Sequence, residues 1–511
     1  MSEGRDCAAK RTAAWKVAAV LAWLVVWEAT SLLIGNDIVL CGPCETLASL
    51  AALVSEPEFL RSVGGTAVGV LGGFAGAFFA GSLLGSLGAR FGALHLLLEP
   101  AVSCLKSVPV VCVIVLLLVR LGSARTVSAV VALVAFPPAY TAAFEGVRNA
   151  DGRMRELLSI HRVSPWRRAV AFWWPSILPF LKASARAFVG MSWKAGVAAE
   201  LIGIPAHTVG ERVYQAKITL STGDLLAWTL VVVALSVACE RAFLGLLDAS
   251  GLVSRRLAAL PAARMRRGAR PRSPVPKKGD GPLFSIEGSS MGFNGADRAV
   301  RCEGLRVLAG DVRVLGQESG AGKTTLLRTL MGLRGVDAGF VSRAEGVRVS
   351  AVFQETLLFG DLTALENVCL FADGLCESEA RSLLRRVLPD EALDRPVSTL
   401  SGGQKRRVEL CRALACPSDA VLLDEPFTGL DEASVSASLD LIDDCLEGRA
   451  LVVATHCAAA QRRWGGAIEL AWIEASPSTG AAGDRLGRVL RRRARSKGPS
   501  SAPRASHPRS V

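Results

Sequence analysis

The sequence predicts an α-helical membrane domain of about six transmembrane helices, followed by an α/β domain. Half of the 511 residues are hydrophobic and the mean hydropathy is +0.36, which is high for a soluble protein. Long uncharged runs are confined to residues 13–247, whereas residues 283–475 have the composition of a soluble domain. Within that second part, residues 316–325 (GQESGAGKTT) join a predicted strand to a predicted helix. A chain of this length has room for two or three domains.

Six stretches are candidate membrane spans, because each is apolar over most of the roughly 20 residues that cross a bilayer as a helix. They are residues 14–35, 62–89, 97–119, 126–145, 184–204 and 224–247. Five charged residues fall in or beside these stretches: Glu28, Glu99, Lys106, Lys194 and Glu200. A charge in a span normally faces protein or water, so re-entrant or buried helices are the alternative for the interrupted stretches.

Basic residues predict which side of the membrane each segment occupies. Arg5, Lys10 and Arg11 precede the first span and no cleavage site follows it, which predicts an uncleaved anchor with a cytosolic N-terminus. The segment between the fourth and fifth spans is rich in arginine from Arg148 to Arg168, which also places it inside. We therefore expect a multi-pass protein of the cytoplasmic (inner) membrane, with its α/β domain in the cytosol.

Small residues recur every four positions in the second span: Gly65, Gly69, Gly73, Ala77, Gly81 and Gly85. This spacing places them on one helix face, where they allow close approach of a neighbouring backbone. Packing within the chain is a better explanation than a dimer contact. Before that span, residues 41–44 (CGPC) predict a structural or incidental disulfide rather than a redox centre, since no thioredoxin-like strand–helix unit surrounds them.

Two basic segments flank the α/β domain. Residues 249–282 are rich in Arg, Lys and Pro and cannot bury a core, which predicts a flexible linker beside the anionic leaflet. Residues 476–511 have the same character and are interpreted as a disordered tail. Neither segment interleaves aromatic residues with its charges, so we expect no nucleic-acid partner. The predicted domains are therefore residues 1–248 and 283–475.

The stretch VRVLGQESGAGKTTLLRTL (312–330) has the pattern of a strand, a glycine-rich loop and a helix, which is the setting of a phosphate-binding loop. Backbone N–H groups from Gly320 to Thr324 are predicted to hold phosphates at the helix N-terminus, with Lys323 reaching the β- and γ-phosphates. Gly322 and Thr325 complete the predicted nucleotide-binding set. The Thr324 hydroxyl is predicted to reach magnesium.

One position departs from the loop pattern G-x-x-x-x-G-K-[ST], which places glycine at 317 where this chain has Gln317. The phosphate cradle is formed by the later residues, so we expect nucleotide binding to survive. Gly316 is expected to take over the tight turn.

Two further apolar strands end in chemically active residues. AVLLDEPF (420–427) ends in Asp424, which can hold magnesium, and Glu425, which can orient or deprotonate an attacking water. ALVVATH (450–456) ends in His456. Between the phosphate loop and these strands lies LSGGQ (400–404), directly before a predicted helix. All of these motifs in this order are unlike a chance arrangement.

Over residues 283–475 the chain resembles the ATP-binding cassette family. The resemblance implies ATP and Mg²⁺ as cofactors, with VFQE supplying a Q-loop at Gln354 that reaches the metal. It also implies that the signature LSGGQ closes over ATP held by a second domain. Further residues that the resemblance assigns to the nucleotide are Ser401, Gly402, Gly403, Gln404, the D-loop Asp431 and Phe293, which would stack on adenine. His456 corresponds to the switch histidine. The interval from Lys323 to Gln354 is short for the family, which implies trimmed antiparallel strands.

The first half resembles the permeases of binding-protein-dependent importers. Residues 154–179 (MRELLSIHRVSPWRRAVAFWWPSILP) are similar to their cytosolic coupling loop, with Glu156, Trp166, Pro175 and Pro179 in register. The usual glycine of that loop falls on Arg162, a departure expected to alter the local backbone geometry. GMSWKAGVAAELIGIP (190–205) and residues 105–110 are similar to the nitrate, sulfonate and taurine branch. This resemblance implies import of a small anionic solute delivered by a separate extracytoplasmic binding protein.

Two other functions fit parts of the pattern. Six spans before an ATPase domain is also the plan of exporter half-transporters, although those carry long cytosolic helical extensions for which this chain has little room. A nucleotide-binding membrane sensor without turnover is the other alternative, and the retained Glu425 and His456 disfavour it. One chain has one phosphate loop and one signature motif, which predicts a homodimer with two composite ATP sites.

Overall fold

The computed structural model describes residues 2–259, 281–292, 298–317, 322–336, 338–372, 374–465 and 471–474. The chain divides into two compact units. The helical unit comprises Met1–Asp151 with Pro165–Ala258, and the sheet unit comprises Gly152–Ser164 with Ala259–Val511. The predicted site residues Phe293 and Gly320, the predicted tail and most of the predicted linker lie outside the described residues.

The helical unit contains ten α-helices among its described residues, together with one π-helical turn at Ala169–Trp173. The helices are α1 (Ser2–Ile34), α2 (Pro43–Val54), α3 (Pro57–Arg90), α4 (Gly92–Ser107), α5 (Val110–Leu121), α6 (Ser123–Arg148), α8 (Pro165–Arg168), α9 (Trp174–Gly203), α10 (Val209–Ile218) and α11 (Thr222–Ala259). Helix α7 (Gly152–Ile160) belongs to the sheet unit. Since α11 continues to Ala259, the helix extends past the predicted start of the linker at 249.

The predicted count of six spans is not reproduced by the described helices. Four of them are long and apolar enough to cross a membrane: Val17–Ile34, Pro57–Arg90, Ser123–Arg148 and Thr222–Ala258. Helices α4 and α5 form a fifth span only if taken together, and they are bent by 102° at their junction. Helix α9 has 30 residues but also Lys182, Arg186, Lys194 and Glu200, so no apolar window of sufficient length remains.

The small-residue face of α3 packs against α6 of the same chain. This confirms the prediction that the small residues serve packing within the chain. A Cβ atom added to Gly73 would lie 2.2 Å from the carbonyl oxygen of Ser128, and one added to Gly85 would lie 2.3 Å from that of Tyr140. Such distances leave room for hydrogen only, so glycine is required where the two helices meet.

Glu200 is the most deeply buried of the charged residues that interrupt the predicted spans. Its side chain has no exposed surface, and Oε2 accepts hydrogen bonds from Thr66 Oγ1 at 2.8 Å and from the backbone N–H of Gly210 at 3.0 Å. The charged residue thus faces protein and joins α3, α9 and α10, as expected for an acid in an apolar helix.

The pair in CGPC does not form the predicted disulfide. Cys41 and Cys44 are both free thiols, the first buried and the second exposed. Burial, with the carboxylate of Glu45 accepting a hydrogen bond from Cys41 Sγ at 3.1 Å, raises the pKa of the Cys41 thiol. A thiol with a raised pKa is a poor nucleophile, so Cys41 has no activated thiolate for redox chemistry.

The sheet unit contains two four-stranded sheets among its described residues. The strands are β1 (Phe284–Gly292), β2 (Arg298–Val307), β3 (Val312–Leu315), β4 (Ala338–Arg343), β5 (Val349–Val352), β6 (Ala420–Asp424), β7 (Ala450–Ala454) and β8 (Ala471–Glu474). One sheet is antiparallel in the order β4-β1-β2-β8, and the other is parallel in the order β3-β7-β6-β5. The short interval between Lys323 and Gln354 contains one strand of the antiparallel sheet, β4, which pairs with β1.

Helices cover the parallel sheet, because parallel strands are joined by helical connections that lie on its faces. They are α12 (Lys323–Leu330), α13 (Ala364–Phe371), α14 (Glu377–Arg385), α15 (Asp390–Leu393), α16 (Gly402–Ala415), α17 (Glu432–Leu446) and α18 (Ala458–Trp464). Strands β6 and β7 are buried along their whole length, typical of central parallel strands. The carboxyl ends of parallel strands meet at one edge, which brings the residues after β3, β5, β6 and β7 together.

Candidate functional site

The phosphate loop leads from β3 into α12 at the edge of the parallel sheet. Gly322 adopts φ of 89°, a left-handed conformation that favours glycine, directly before the first residue of the helix. Lys323 and Thr325 are buried at the start of α12. The segment around Gly320 lies outside the described residues, so its predicted backbone cradle stays a prediction.

Gln317 does not adopt a left-handed backbone conformation, so no glycine is required at that position. Gly316 also lies outside the left-handed region, and the tight turn expected there stays a prediction because residues 318–321 lie outside the described structure. Gly316 makes room for Gln461: an added Cβ would lie 2.9 Å from Gln461 Nε2, which donates to the Gly316 carbonyl oxygen at 3.3 Å. The absent glycine therefore leaves the described part of the loop unstrained.

Lys323 joins three of the strand ends through its ammonium group. Nζ donates to the Gln317 carbonyl oxygen at 2.7 Å, lies 2.7 Å from His456 Nε2 and lies 3.4 Å from Glu425 Oε1. His456 Nε2 is 3.4 Å from the same carboxylate oxygen. The predicted phosphate-binding lysine, acid and histidine thus form one cluster, although they are more than 100 residues apart between Lys323 and Glu425.

Glu425 is held in a strained backbone conformation that aims its side chain. Its φ is 48°, and its backbone N–H donates to the Ala454 carbonyl oxygen at 2.8 Å. A left-handed conformation at a residue other than glycine costs about 1–3 kcal/mol and persists where surrounding contacts enforce it. The contact with β7 supplies that support, which holds the carboxylate beside Lys323 and His456.

Thr324 and Asp424 form the oxygen pair expected of a magnesium site. The Thr324 hydroxyl is hydrogen bonded to the Asp424 carboxylate, which is 4% exposed. Burial raises the pKa of Asp424, while the Thr324 hydrogen bond and the charges of Arg406 and Lys323 oppose that rise. No group of three or more His, Cys, Asp or Glu side chains able to hold a metal occurs in the described part of the chain. A hydroxyl and one carboxylate fit Mg²⁺ that is bound together with nucleotide phosphates.

Gln354 is exposed and follows β5, whose Val352 pairs with Leu423 of β6. It therefore lies at the same sheet edge as Asp424, one strand away. The structure shows no hydrogen bond from the described residues to its side chain.

The signature residues lie at the N-terminus of α16. Ser401 caps that helix by accepting from the Gln404 backbone N–H at 3.3 Å, and Gln404 Oε1 accepts from the Ser401 N–H at 3.0 Å. Gly402 has open space around it, whereas a Cβ on Gly403 would lie 3.0 Å from the carbonyl oxygen of Gly429.

Asp431 caps α17 in the same way, by accepting from the Ser434 backbone N–H at 3.1 Å, and its hydrogen bonds to Ser434 lower its pKa. No hydrogen bond or ion pair between described residues joins the side chains of Ser401, Gln404 or Asp431 to the Lys323 cluster. The structure thus places the predicted site residues in two groups, one around Lys323 and one around Ser401.

Arg406, which none of the sequence motifs identified, connects the two groups. Its buried guanidinium donates to the carbonyl oxygens of Asp424 at 2.6 Å, Glu425 at 2.7 Å and Phe353 at 2.6 Å. It also pairs with Glu409 at 2.9 Å. Arg406 therefore fixes the acidic strand end and the start of the Gln354 loop to the signature helix. Its position two residues after LSGGQ and three before Glu409 is the sequence feature that could have identified it.

Residues Gly152–Ser164, which we call the coupling segment, are part of the sheet unit. Glu156 Oε2 accepts from Arg328 of α12 at 2.7 Å. Arg153 forms an ion pair with Glu355, the residue after Gln354. The coupling segment thus contacts the surface around Gln354.

His161 anchors the coupling segment and is half-buried. Its Nε2 accepts from the Ala351 backbone N–H at 3.4 Å, and its Nδ1 lies 3.0 Å from the Leu157 carbonyl oxygen. The ring packs edge-on against Phe371 with 5.3 Å between centroids. Burial and the charge of Arg412 lower the pKa of His161 to about 3, so the ring is neutral at physiological pH.

Arg162, at the position of the usual glycine, has φ of 50°. The backbone at Arg162 therefore has a conformation that glycine favours. The expectation that the departure from the motif alters the local backbone geometry is wrong. Arg162 Nη2 donates to the carbonyl oxygens of Val347 at 3.2 Å and Gly346 at 3.4 Å. These bonds hold the side chain against the turn between β4 and β5.

A phosphate-loop lysine, a hydroxyl–carboxylate pair and a strand-end glutamate on a parallel sheet define the class of P-loop nucleotide-binding domains. Two families match this chain: residues 304–428 match the ABC transporter family, and residues 78–248 match the family of binding-protein-dependent transport system inner membrane components. An uncharacterized ABC transporter ATP-binding protein of Haemophilus influenzae is 36% identical over 183 residues, covering 34% of this chain and 75% of that protein. The chain belongs to the ABC transporter family.

For other relatives, the match spans a smaller share of the relative's own length. The molybdenum import ATP-binding protein ModC of Mycobacterium tuberculosis is 35% identical over 188 residues, which are 32% of this chain and 51% of that protein. The match thus spans about half of that relative. The zinc import ATP-binding protein ZnuC of Cereibacter sphaeroides is 35% identical over 166 residues, with 32% and 68% covered. A solved dimeric bacterial ABC transporter cassette has 24% identity and a TM-score of 0.33, covering 38% of this chain and 98% of its own.

Proposed function

We propose that this protein imports a small anionic solute across the cytoplasmic membrane, driven by ATP hydrolysis in residues 283–475. The observation that carries the proposal is the coupling segment, which lies in a chain region matching an importer permease and yet packs into the ATP-binding unit on both sides of Gln354. An ATPase domain alone would support many functions. A permease segment built into its surface supports transport, and the permease match favours import over export.

The chemical roles follow from the two groups of site residues. Lys323 and the N–H groups of the phosphate loop would bind the phosphates, and Thr324, Asp424 and Gln354 would hold magnesium. Magnesium, when bound, neutralises charge that develops on the phosphates.

Glu425 orients and deprotonates the attacking water, and His456 steadies the γ-phosphate end of the site. The backbone N–H of His456 donates to Glu425 Oε2 at 3.4 Å, which lets the residue position that carboxylate. Phe293 stacks on the adenine in this proposal.

Coupling is explained by the contacts on either side of Gln354. His161 is bonded to Ala351 of β5, and Arg153 is paired with Glu355. A displacement of the Gln354 loop when ATP binds must therefore pull on a segment that is continuous with the permease helices. Glu156 and Arg328 extend this connection to α12, the helix that begins at the phosphate-binding lysine.

The coupling proposal is tested by charge exchange. In proteoliposomes, Glu156→Arg should lower solute uptake per ATP hydrolysed several-fold, because it places two cations where an ion pair now lies. The exchange Glu156→Arg with Arg328→Glu should restore the ratio. An Arg395→Glu variant, which changes an exposed charge elsewhere on the sheet unit, is the control. Uptake per ATP that is unchanged by Glu156→Arg would contradict the role of this segment.

A homodimer completes the ATP site in this proposal. The group around Ser401, with Gly402, Gly403, Gln404 and Asp431, forms no hydrogen bond or ion pair to the Lys323 cluster through its described side chains, so it is available to nucleotide held by a second copy. Mixing a Lys323→Ala chain with a Ser401→Arg chain should restore ATPase activity, since one of the two composite sites in a mixed dimer is intact. Failure to restore any activity, or a fully active monomer, would refute the dimer.

The solute class is the finer part of the proposal. Among the relatives are proteins named for import of molybdenum, sulfate/thiosulfate and zinc, so similarity of the ATPase does not select one substrate. The resemblance of residues 190–205 favours the nitrate, sulfonate and taurine class, delivered by a separate extracytoplasmic binding protein. Candidate binding proteins loaded with each anion should be added to the chain in lipid. The correct one stimulates ATP hydrolysis; stimulation only by a cation- or sugar-loaded protein would exclude the anion class.

A further inference from the structure

A cavity of about 350 Å³ lies within the sheet unit, beside the end of the coupling segment. Its walls come from three parts of that unit: the coupling segment, the residues after α12 and the turn between β4 and β5. The lining residues that matter are Ser159, Arg162, Gly332, Arg343 and Val347. None of them belongs to the predicted nucleotide site.

Two arginine side chains meet at this cavity and share one acceptor. Arg162 Nη2 donates to the Val347 carbonyl oxygen at 3.2 Å, and Arg343 Nη2 donates to the same oxygen at 2.7 Å. The two guanidinium groups therefore lie side by side. Arg343 also donates through Nη1 to the carbonyl oxygen of Met331 at 3.2 Å. Each guanidinium keeps further N–H donors that these bonds do not use.

No carboxylate of the described residues that line the cavity neutralises this pair. Neither arginine forms an ion pair within 4.0 Å among the described residues. Asp419 acts on Arg343 from farther away, and its Oδ2 already accepts from the Arg348 backbone N–H at 2.7 Å. Glu345, in the same turn, is exposed and unpaired with either arginine in the described structure. Side-by-side cations without an acid repel one another and attract an anion.

We propose that this cavity is a binding site for a tetrahedral oxyanion of the phosphate or sulfate class, held between the guanidinium groups of Arg162 and Arg343. Arginine donors match the oxygen spacing of such anions and bind them by charge-assisted hydrogen bonds. The bound anion would link the coupling segment to β4. The site goes beyond the transport proposal, because its occupancy is measured without ATP or solute.

The conformation of Arg162 offers a well-matched test variant. Its φ of 50° is one that glycine adopts without strain, so Arg162→Gly removes the guanidinium while favouring the observed backbone. Arg343→Gln removes the second charge and keeps a donor for the backbone carbonyl. Arg395→Gln, at an exposed position outside the cavity, removes the same charge as a control.

Binding is to be measured by equilibrium dialysis of radiolabelled inorganic phosphate against the full chain in lipid nanodiscs, at constant ionic strength. Every protein carries Lys323→Ala, which disables the phosphate loop as a competing anion site. We expect saturable binding that sulfate competes away and chloride does not. Affinity should fall about tenfold or more in Arg162→Gly and in Arg343→Gln, and stay unchanged in Arg395→Gln.

Two results would overturn the proposal: no saturable binding in the Lys323→Ala protein, or binding that persists undiminished in both Arg162→Gly and Arg343→Gln. Should Arg343→Gln fail to fold, Arg162→Gly alone decides between these outcomes. An inactive transporter that still binds phosphate at Arg162 and Arg343 would refute the transport proposal and leave this site standing.

Discussion

The phosphate loop and the coupling segment each carry a side chain where the motif they resemble has glycine. Gln317 lies outside the left-handed region, and its carbonyl oxygen accepts a hydrogen bond from Lys323. Arg162 has φ of 50°, which costs about 1–3 kcal/mol for a residue other than glycine. Two hydrogen bonds from its guanidinium to Val347 and Gly346 offset part of that cost. The missing glycine thus leaves no left-handed residue at 317 in the described part of the phosphate loop, whereas at 162 a left-handed residue is held by side-chain hydrogen bonds.

The largest expected effect is that of replacing Lys323, whose charge no other side chain of the phosphate loop supplies. Lys323→Ala should lower ATP hydrolysis about 100-fold or more, because the ammonium group contacts both Glu425 and His456 and is the loop's only cation. Phosphate release by the chain in lipid measures the loss. Equal, barely detectable rates in the original chain and in Lys323→Ala would show that the loop is inactive, which would favour the nucleotide-sensor alternative.

The stability of the coupling segment should respond to pH through His161. The folded-state pKa of His161 is about 3 and its ordinary value is 6.5, so the unfolded chain binds a proton that the folded chain does not. The stability that neutral His161 provides is complete above pH 6.5 and is lost as pH falls toward 3. The difference in unfolding midpoint between the original chain and His161→Gln should therefore shrink over that range. A difference that stays constant with pH would contradict burial of a neutral ring.

A smaller effect is expected from replacing Arg162, and its sign depends on the replacement. Arg162→Ala keeps the strained φ and loses both hydrogen bonds, whereas Arg162→Gly loses the bonds and relieves the strain. Arg162→Gly should therefore be more stable than Arg162→Ala by about 1 kcal/mol. Denaturant unfolding of the two variants in detergent gives the comparison. Equal stabilities would mean that the strain at this position is absent.

The smallest effect should come from Gln317→Gly. The backbone at 317 does not require glycine, and the bond from Lys323 is to a carbonyl oxygen that any residue supplies. We expect ATP turnover to rise modestly, by less than about twofold, since a glycine changes loop flexibility by less than about 1 kcal/mol. A much larger increase would show that Gln317 limits nucleotide binding, and the two regions would then differ less than the structure indicates.

The predicted positions of Lys323, Asp424, Glu425 and His456 follow from local sequence alone. Asp424, Glu425 and His456 end or follow an apolar strand, and Lys323 begins the helix that the phosphate loop joins to β3. Because the carboxyl ends of parallel strands share one edge, order along the chain is enough to predict their meeting. The helix caps at Ser401 and Asp431 are equally local, since a cap needs only the residues of its own first turn. The four-residue period of small residues likewise predicted the small-residue face of α3.

Other features depended on contacts between distant parts of the chain. The role of Arg406 arises from three carbonyl oxygens on other elements, and the partner of the α3 glycines is a helix that local sequence does not identify. The number of spans changed because a bend of 102° divides one apolar stretch and charges interrupt another. The partners of Arg162 are of the same kind. A motif states which residue is usual at that position, but it does not show that the side chain present reaches Val347.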